Sequence, residues 1–515
     1  MNALNNENGR ATLFAKLLIV AAVAGAGVFG LKAFRDAHPE MVAKVTTAAN
    51  ATKPEPREPG VIRVGVVTWG GYAGGEYFNN GFKASENSRY FTKYGLKVQF
   101  VLNDDYASSR DAWKADQVDV LWTTVDSFPT EVGGYGRFNP KLIFQADWSR
   151  GGDAIVSRRG INSVNDLKGM KIAAAYGTPS HTFLLWMLDA ADMKPSDITL
   201  VQTDSAVAAA QMFKAGKVDA AVVWSPDDQD CVKTVAGSKI LKNTKEASNI
   251  IADGFFVKDE YLQAHKTELR ELFEGWMIGA AEINSNPQAA AKAAEILAQG
   301  LNISPAEAAK AISNARLATL GDNQVFFGLA QGNGVTGESI YNKMSDLYTQ
   351  VGVVTTKLPD WRQIYDSSLI SGTTLPGAEN LAEGAKTFTA PTQSAVTAPA
   401  FATKRVTITF PTGSAKLDEN SKYLISAKFG DVAKGFSHSR VRIEGNTDST
   451  GSTEVNKQLS LARAKAVASF LAQEYHFDHN RFVVVGNGPD KPVSDNQSPD
   501  GRAKNRRTDF ELISE

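Results

Sequence analysis

Ala112–Leu121 reads AWKADQVDVL, and Met212–Ala221 reads MFKAGKVDAA. Both carry Lys-Ala, two intervening residues and then Val-Asp, one hundred residues apart. A helical stretch leads into each copy and an apolar strand leaves it: Val118–Trp122 in the first, Val218–Trp224 in the second. Upstream of each lies a further strand that ends in a glycine turn. These are Val61–Thr68 into Trp69-Gly70-Gly71, and Lys171–Tyr176 into Gly177-Thr178. Strand, turn, helix and strand, given twice, predicts two α/β lobes. Chance sharing of residues by two strand–helix units is the plainer reading, and the matched strands and turns weigh against it. The region covers 61–371, with lobe I at 61–150 and 255–371 and lobe II at 151–254. Helices dominate after Phe255, where Ser304-Pro305-Ala306-Glu307 forms a capping box with proline at the first helical position.

Polar stretches flank this region. Residues 35–60 contain Pro39, Pro54, Pro56 and Pro59 and read as a semi-extended linker. Residues 372–402 are rich in Thr, Ala, Gly and Pro without a period and read as a second linker, leaving 403–515 as a last domain. At the start, Leu17–Leu31 (LLIVAAVAGAGVFGL) is an uncharged apolar run. Leu13–Ala15 and Ala33–Phe34 extend it past lysines that can snorkel, so 13–34 suffices for a transmembrane helix behind a cytoplasmic segment 1–12. A cleaved signal peptide competes, because the run is short and Ala24-Gly25-Ala26 resembles a cleavage site. Val28, Phe29 and Leu31 continue the run past that triplet and favour the anchor. Arg10 and Lys16 before the run balance Lys32 and Arg35 after it, so flank charge sets no orientation. Both readings export the remainder of the chain.

Composition narrows the function. The 515 residues predict several domains, and 55 basic against 56 acidic residues give no electrostatic footprint for nucleic acid. The single Cys231 excludes an internal disulfide and a cysteine metal cluster. No nucleophile–base motif stands out, and Gly70-Gly71-Tyr72-Ala73-Gly74-Gly75 lacks the dinucleotide-binding pattern. His476, Asp478 and His479 want a further spaced ligand and read as a solvated helix end rather than a metal site. The chain is therefore expected to be no enzyme and to hold no cofactor or metal.

Ligands of α/β lobes collect at the carboxyl ends of the strands. In lobe I those positions are Trp69, Gly70, Gly71 and Tyr72, then Asp126 and Ser127. In lobe II they are Gly177, Thr178, Pro179, Ser180 and His181, then Trp224, Ser225 and Pro226. At Gly177–His181 a strand turns into a helix whose first N–H groups suit an anion; a plain N-cap is the bland alternative. Trp69 and Trp224 occupy matching strand ends, as ligand-stacking rings or as core. Asp153, after Gly151-Gly152, faces the hinge or ligand or simply makes a turn, and the turn is favoured.

Several of these motifs resemble periplasmic solute-binding proteins of the nitrate, sulfonate and taurine class. They are Ala146-Asp147-Trp148-Ser149-Arg150-Gly151-Gly152-Asp153, Asp166-Leu167-Lys168-Gly169, Gly177-Thr178-Pro179-Ser180-His181 and Gly216-Lys217-Val218-Asp219-Ala220. The resemblance implies two hinged lobes closing over a small solute. It does not fix the solute; the cleft candidates include no obvious arginine at a strand end, with Arg150, Arg158 and Arg159 near but unplaced, which weakens a strongly anionic solute.

The last domain predicts a small α/β sandwich: strand Val406–Phe410, helix Leu417–Lys434, strand Val441–Glu444, helix Val455–Tyr475, then strands Val483–Val485 and Thr508–Leu512. On the long helix, Leu459, Ala462, Ala466, Val467 and Phe470 share a face that also holds Asn456 and Arg463. A guanidinium there needs an acceptor. Either Asp448 pairs with it directly, or Asp448 and Arg463 grip two ends of a zwitterion, the arginine taking a carboxylate and the aspartate an ammonium. Asn446-Thr447-Asp448, Gly451-Ser452, Asn456, Leu459-Ser460, Arg463-Ala464 and Asn505-Arg506-Arg507 resemble OmpA-like domains, with Asn446 where the family often has histidine. The resemblance implies that Asp448 and Arg463, with Asn456 and Thr447, bind the diaminopimelate stem peptide of peptidoglycan.

The expected fold class is thus α/β: a two-lobed periplasmic-binding-protein fold and a small OmpA-like sandwich, preceded by one N-terminal transmembrane helix. The expected function is an envelope-anchored receptor in the periplasm of a Gram-negative bacterium, tied to inner membrane and peptidoglycan, binding a small solute. An ABC permease or a signalling protein is the expected partner. A wall-bound importer component and a ligand-free tether between membrane and wall are the alternatives.

Overall fold

Parallel strands buried on both faces must be apolar throughout, and VIRVGV at Val61–Val66 is buried at every position. It is β1 of a six-stranded sheet with β2 (Lys97–Leu102), β3 (Val120–Thr124), β4 (Pro140–Ser149), β10 (Ala252–Lys258) and β11 (Ala315–Leu317), in the order β11-β4-β10-β3-β1-β2. A five-stranded sheet holds β5 (Asp153–Ser157), β6 (Lys171–Ala175), β7 (Thr199–Thr203), β8 (Ala220–Trp224) and β9 (Lys239–Asn243), in the order β7-β6-β8-β5-β9. The repeated motif therefore supplies the equivalent strands β3 and β8, one in each lobe. The chain crosses between sheets twice, once between β4 and β5 at residues 150–152 and once on the way from β9 to β10.

This computed structural model describes residues 58–515 apart from 333, 409 and 412. The apolar segment 13–34 lies outside the described residues. Among the described residues no helix is long and apolar enough to cross a membrane.

The third sheet has β12 (Ala402–Val406), β13 (Arg440–Asn446), β14 (Phe482–Gly488) and β15 (Thr508–Ile513), in the order β12-β15-β13-β14. Two expectations are corrected here. The first strand occupies Ala402–Val406, not Val406–Phe410: Val406 and Ile408 are buried as the alternation requires, but pairing with β15 ends at Val406. The helix Thr453–Glu474 buries Asn456, Ser460, Ala464, Val467, Ala468, Leu471 and Ala472, and Leu459, Ala462 and Phe470 lie off that face. Small side chains win because the helix runs tight against the sheet. A Cβ on Gly445 of β13 would lie 2.2 Å from the Ser460 carbonyl oxygen, and one on Gly486 of β14 would lie 2.6 Å from Leu461.

The C-terminal sheet is packed onto lobe II, and the two share buried core. Gly435 lies so close to Trp186 and Ile250 that its Cβ would come within 2.7 and 2.9 Å of them. Asp189, on the lobe II helix Pro179–Ala190, pairs with Lys404 of β12 at 2.7 Å and with Lys343 at 2.9 Å. Burial pushes this carboxyl up, yet the two lysines outweigh it and hold it below the usual range. The stretch 372–402, expected as a linker, is held along its length. Glu383 makes a two-pronged pair with Arg150, and Arg440 and Arg442 of β13 donate to the carbonyls of Thr389, Val396 and Ala398.

Candidate functional site

The carboxyl ends of β1, β3 and β8 converge on one cavity between the lobes, lined by Val67, Thr68, Trp69, Thr124, Asp153, Pro179, Trp224, Ile251 and Asp253. Its free volume is about 40 Å³, little more than one water molecule fills.

Trp69 is positioned by close backbone approach. Its Nε1 donates to both oxygens of Asp147 at 3.2 Å. A Cβ on Gly71 would overlap that carboxylate, and one on Gly152, in the crossover to lobe II, would overlap the indole. These glycines let a lobe I ring reach the hinge. Asp153 pairs in register with Trp224 across β5 and β8, so the second tryptophan and a carboxylate face the cavity together.

The other expected residues are arranged around this centre. Tyr72 is buried, and its hydroxyl donates to Asp253 Oδ1 at 2.7 Å. Gly70 packs against the Ala311 backbone. Asp126 is buried and accepts from Ala252 N at 3.2 Å, while Ser127 bonds Thr124 Oγ1 at 2.7 Å, leaving Thr124 to face the cavity. Gly177, at φ +70°, donates its N–H to His181 Nδ1 at 3.3 Å. Thr178 is the N-cap residue without a side-chain cap bond, and Ser180 is fully buried. The helix presents Pro179 to the cavity, a residue with no N–H. His181 is buried, and burial pushes it down to about 4, so it is neutral at neutral pH. Pro179, the residue of this helix that lines the cavity, thus gives an anion no N–H, and the imidazole carries no charge.

The electrostatics are dominated by carboxylates. Asp147 and Asp253 are direct partners across β4 and β10. Burial, then Asp153, pushes Asp147 up to about 8 against the Trp69 hydrogen bond. Burial and Asp147 push Asp253 well above the usual range. Burial lifts Asp126 to about 7, and burial with the charge of Asp228 lifts Asp153 to about 7. Among the described residues no lysine or arginine forms an ion pair with any of these four. The sequence reading did not single out Asp147 and Asp253 as site residues. The available signal was a lone carboxylate in each of two apolar stretches, IFQADW and IIADGFF, where unpaired burial is costly.

In the C-terminal region β13 runs into the loop before the helix Thr453–Glu474. Thr447 is tied by its N–H to Gly488 O at 2.8 Å, and Asn456 Nδ2 donates to Thr450 O at 2.9 Å. Asp448 accepts from Thr450 N at 2.9 Å and from Arg506 Nη1 at 2.6 Å. Burial raises its carboxyl, but Arg506 and Thr450 prevail and hold it low and ionised. Arg463 is half-buried, with its guanidinium 4.8 Å from the Phe410 ring centre and Nε donating to Ser414 O at 3.1 Å. Asp448 thus pairs with Arg506, not with Arg463, and the terminal nitrogens of Arg463 have no acceptor among the described residues. Arg506 stood in the OmpA-like motif, but its pairing across 58 residues of chain had no sequence signal.

Comparison with known proteins agrees with this division into two parts. Residues 409–506 match the OmpA family, and residues 148–290 match the family described as NMT1/THI5 like. Outer membrane protein Omp38 of Acinetobacter baumannii is 40% identical over 98 residues, 19% of this chain and 27% of that protein. Peptidoglycan-binding protein ArfA of Mycobacterium tuberculosis is 43% identical over 89 residues, 17% of this chain and 27% of that protein. The chain therefore spans about a quarter of these relatives' length. The periplasmic aliphatic sulphonate binding protein SsuA from Escherichia coli superposes with a TM-score of 0.47 at 17% identity, over 60% of this chain and 98% of that one.

Proposed function

We propose that this protein is a periplasmic envelope receptor that closes two lobes over a small solute and binds peptidoglycan through its C-terminal region. In this reading the segment 13–34 holds it to the inner membrane. The observation that carries it is the Asp448–Arg463 site. Asp448 is ionised and fixed by Arg506 and the Thr450 N–H, while the two terminal nitrogens of Arg463 stand unengaged among the described residues. That is the donor and acceptor set a zwitterion needs: a guanidinium fork for a carboxylate and a carboxylate for an ammonium. The likeness to a peptidoglycan-binding protein supports the same reading. Because lobe II and the C-terminal sheet share core, a wall-bound receptor does not shuttle freely. It senses or captures its solute locally and passes the result to a partner.

The test is retention of the exported full chain on purified sacculi. Arg463→Ala is expected to cut retention about tenfold or more, the usual value of a charge-assisted pair. Lys465→Ala, on the exposed side of the same helix, is expected to leave retention unchanged. Full retention by the Arg463 variant overturns the assignment.

A further inference from the structure

We propose that the cleft is built for a cation, namely a small organic molecule that presents a primary ammonium group between Asp153 and Asp253. The inference rests on the receptor reading and names the class of its solute.

Asp153 and Asp253 line the cavity from opposite lobes, and each is only 5% exposed. One oxygen of each is engaged, by Ser149 Oγ at 2.7 Å and by Tyr72 Oη at 2.7 Å. The other oxygen of each has no donor among the described residues. Asp147 and Asp126 stand behind them, and no lysine or arginine among the described residues pairs with any of the four. Burial and mutual repulsion oppose their ionisation in the unliganded protein, and a bound positive charge offsets that cost. The walls suit the same guest. Trp69 and Trp224 bring indole rings to the cavity from the two lobes, and such faces attract ammonium groups. Pro179, which lines the cavity, has no N–H, and His181 is neutral.

Three N–H donors fit the two waiting carboxylate oxygens, so a primary ammonium is favoured over a quaternary one, which satisfies the charge but not the hydrogen bonds. A metal ion fits less well: among the described residues no three His, Cys, Asp or Glu side chains are grouped as metal ligands. Lobe closure supplies the selectivity. Asp153 and Trp224 come from lobe II, Asp253 and Trp69 from lobe I, so the cation completes its site only when the lobes meet.

The test is calorimetric titration and thermal melting of the dialysed, exported full chain with methylammonium, putrescine, choline, magnesium chloride, nitrate and methanesulfonate. A primary ammonium compound is expected to bind at one site and to raise the melting temperature. Asp153→Asn and Asp253→Asn are each expected to weaken that binding about tenfold or more. Asp153→Asn is also expected to flatten the fall of the unliganded protein's melting temperature between about pH 6.5 and 8, because it removes a buried group that must ionise there. A merely structural role leaves that slope unchanged. Binding of nitrate or methanesulfonate in place of the ammonium compounds overturns the cation assignment and leaves the receptor reading standing, as does selective binding of choline or magnesium. Asn variants that bind the ammonium compound with unchanged affinity also overturn it. A protein that takes up no probe and carries no small molecule by native mass spectrometry removes the receptor reading and this inference with it.

Discussion

Asp147 and Asp253 oppose each other across two paired strands, an arrangement that like charges make unstable. With Asp126 and Asp153 they give the unliganded protein a pH dependence of definite sign. In the folded chain Asp126, Asp147 and Asp153 hold protons up to about pH 7 to 8, and Asp253 is pushed well above the usual range, whereas the unfolded chain releases these protons near pH 4. Between pH 6.5 and 8 the folded state therefore binds more protons, and stability falls as pH rises, by on the order of a few kcal/mol in total. Below about pH 6.5 buried His181 and His438, both pushed down to about 4, pull the other way. Melting curves across that upper window are expected to show the decline, and a flat profile contradicts it. At this scale the sequence was half legible. Trp69 and Trp224, expected at strand ends, both line the cavity, whereas Thr124 rather than Asp126 does so from β3. The pairing of Asp147 with Asp253 was not, because it depends on β4 and β10 meeting across a hundred residues of chain.

The helix Thr453–Glu474 shows what an element's sequence tells and withholds. Its limits fall within two residues of the expected Val455–Tyr475, since capping and propensity are local. Its buried face does not follow from apolar content, because small Ser460, Ala464 and Ala468 are buried on it and the glycine that receives Ser460, Gly445, lies on β13. Gly445→Ala is therefore expected to cost about 1–3 kcal/mol, the usual penalty for overpacking. Ala462→Ser, on the exposed side, is expected to change stability by less than about 0.5 kcal/mol. Urea midpoints measure both, and equal midpoints for parent and Gly445→Ala contradict the close-approach account. The repeated Lys-Ala…Val-Asp motif was the better guide, because each copy leads into a strand that pairs in parallel within its own lobe.

Across the whole molecule, composition marked 372–402 as a linker, yet arginines more than forty residues away along the chain strap it down. No local pattern announces such partners. The same holds for Asp189, which ties Lys404 of the C-terminal sheet and Lys343 to lobe II. Lys404 is nearly buried and Asp189 less so, which discounts the pair, so Asp189→Asn is expected to cost about 1–2 kcal/mol. It is also expected to speed proteolysis within 385–400; an unchanged digestion rate contradicts the clamp. The buried core that lobe II shares with the C-terminal sheet supports the proposal of a held receptor over a diffusing one. The most direct measurement is native mass spectrometry of the exported full chain, taken before any dialysis. The account predicts one small molecule retained per chain and lost on Asp253→Asn. A bare protein in parent and variant alike contradicts it and leaves a scaffold without a solute.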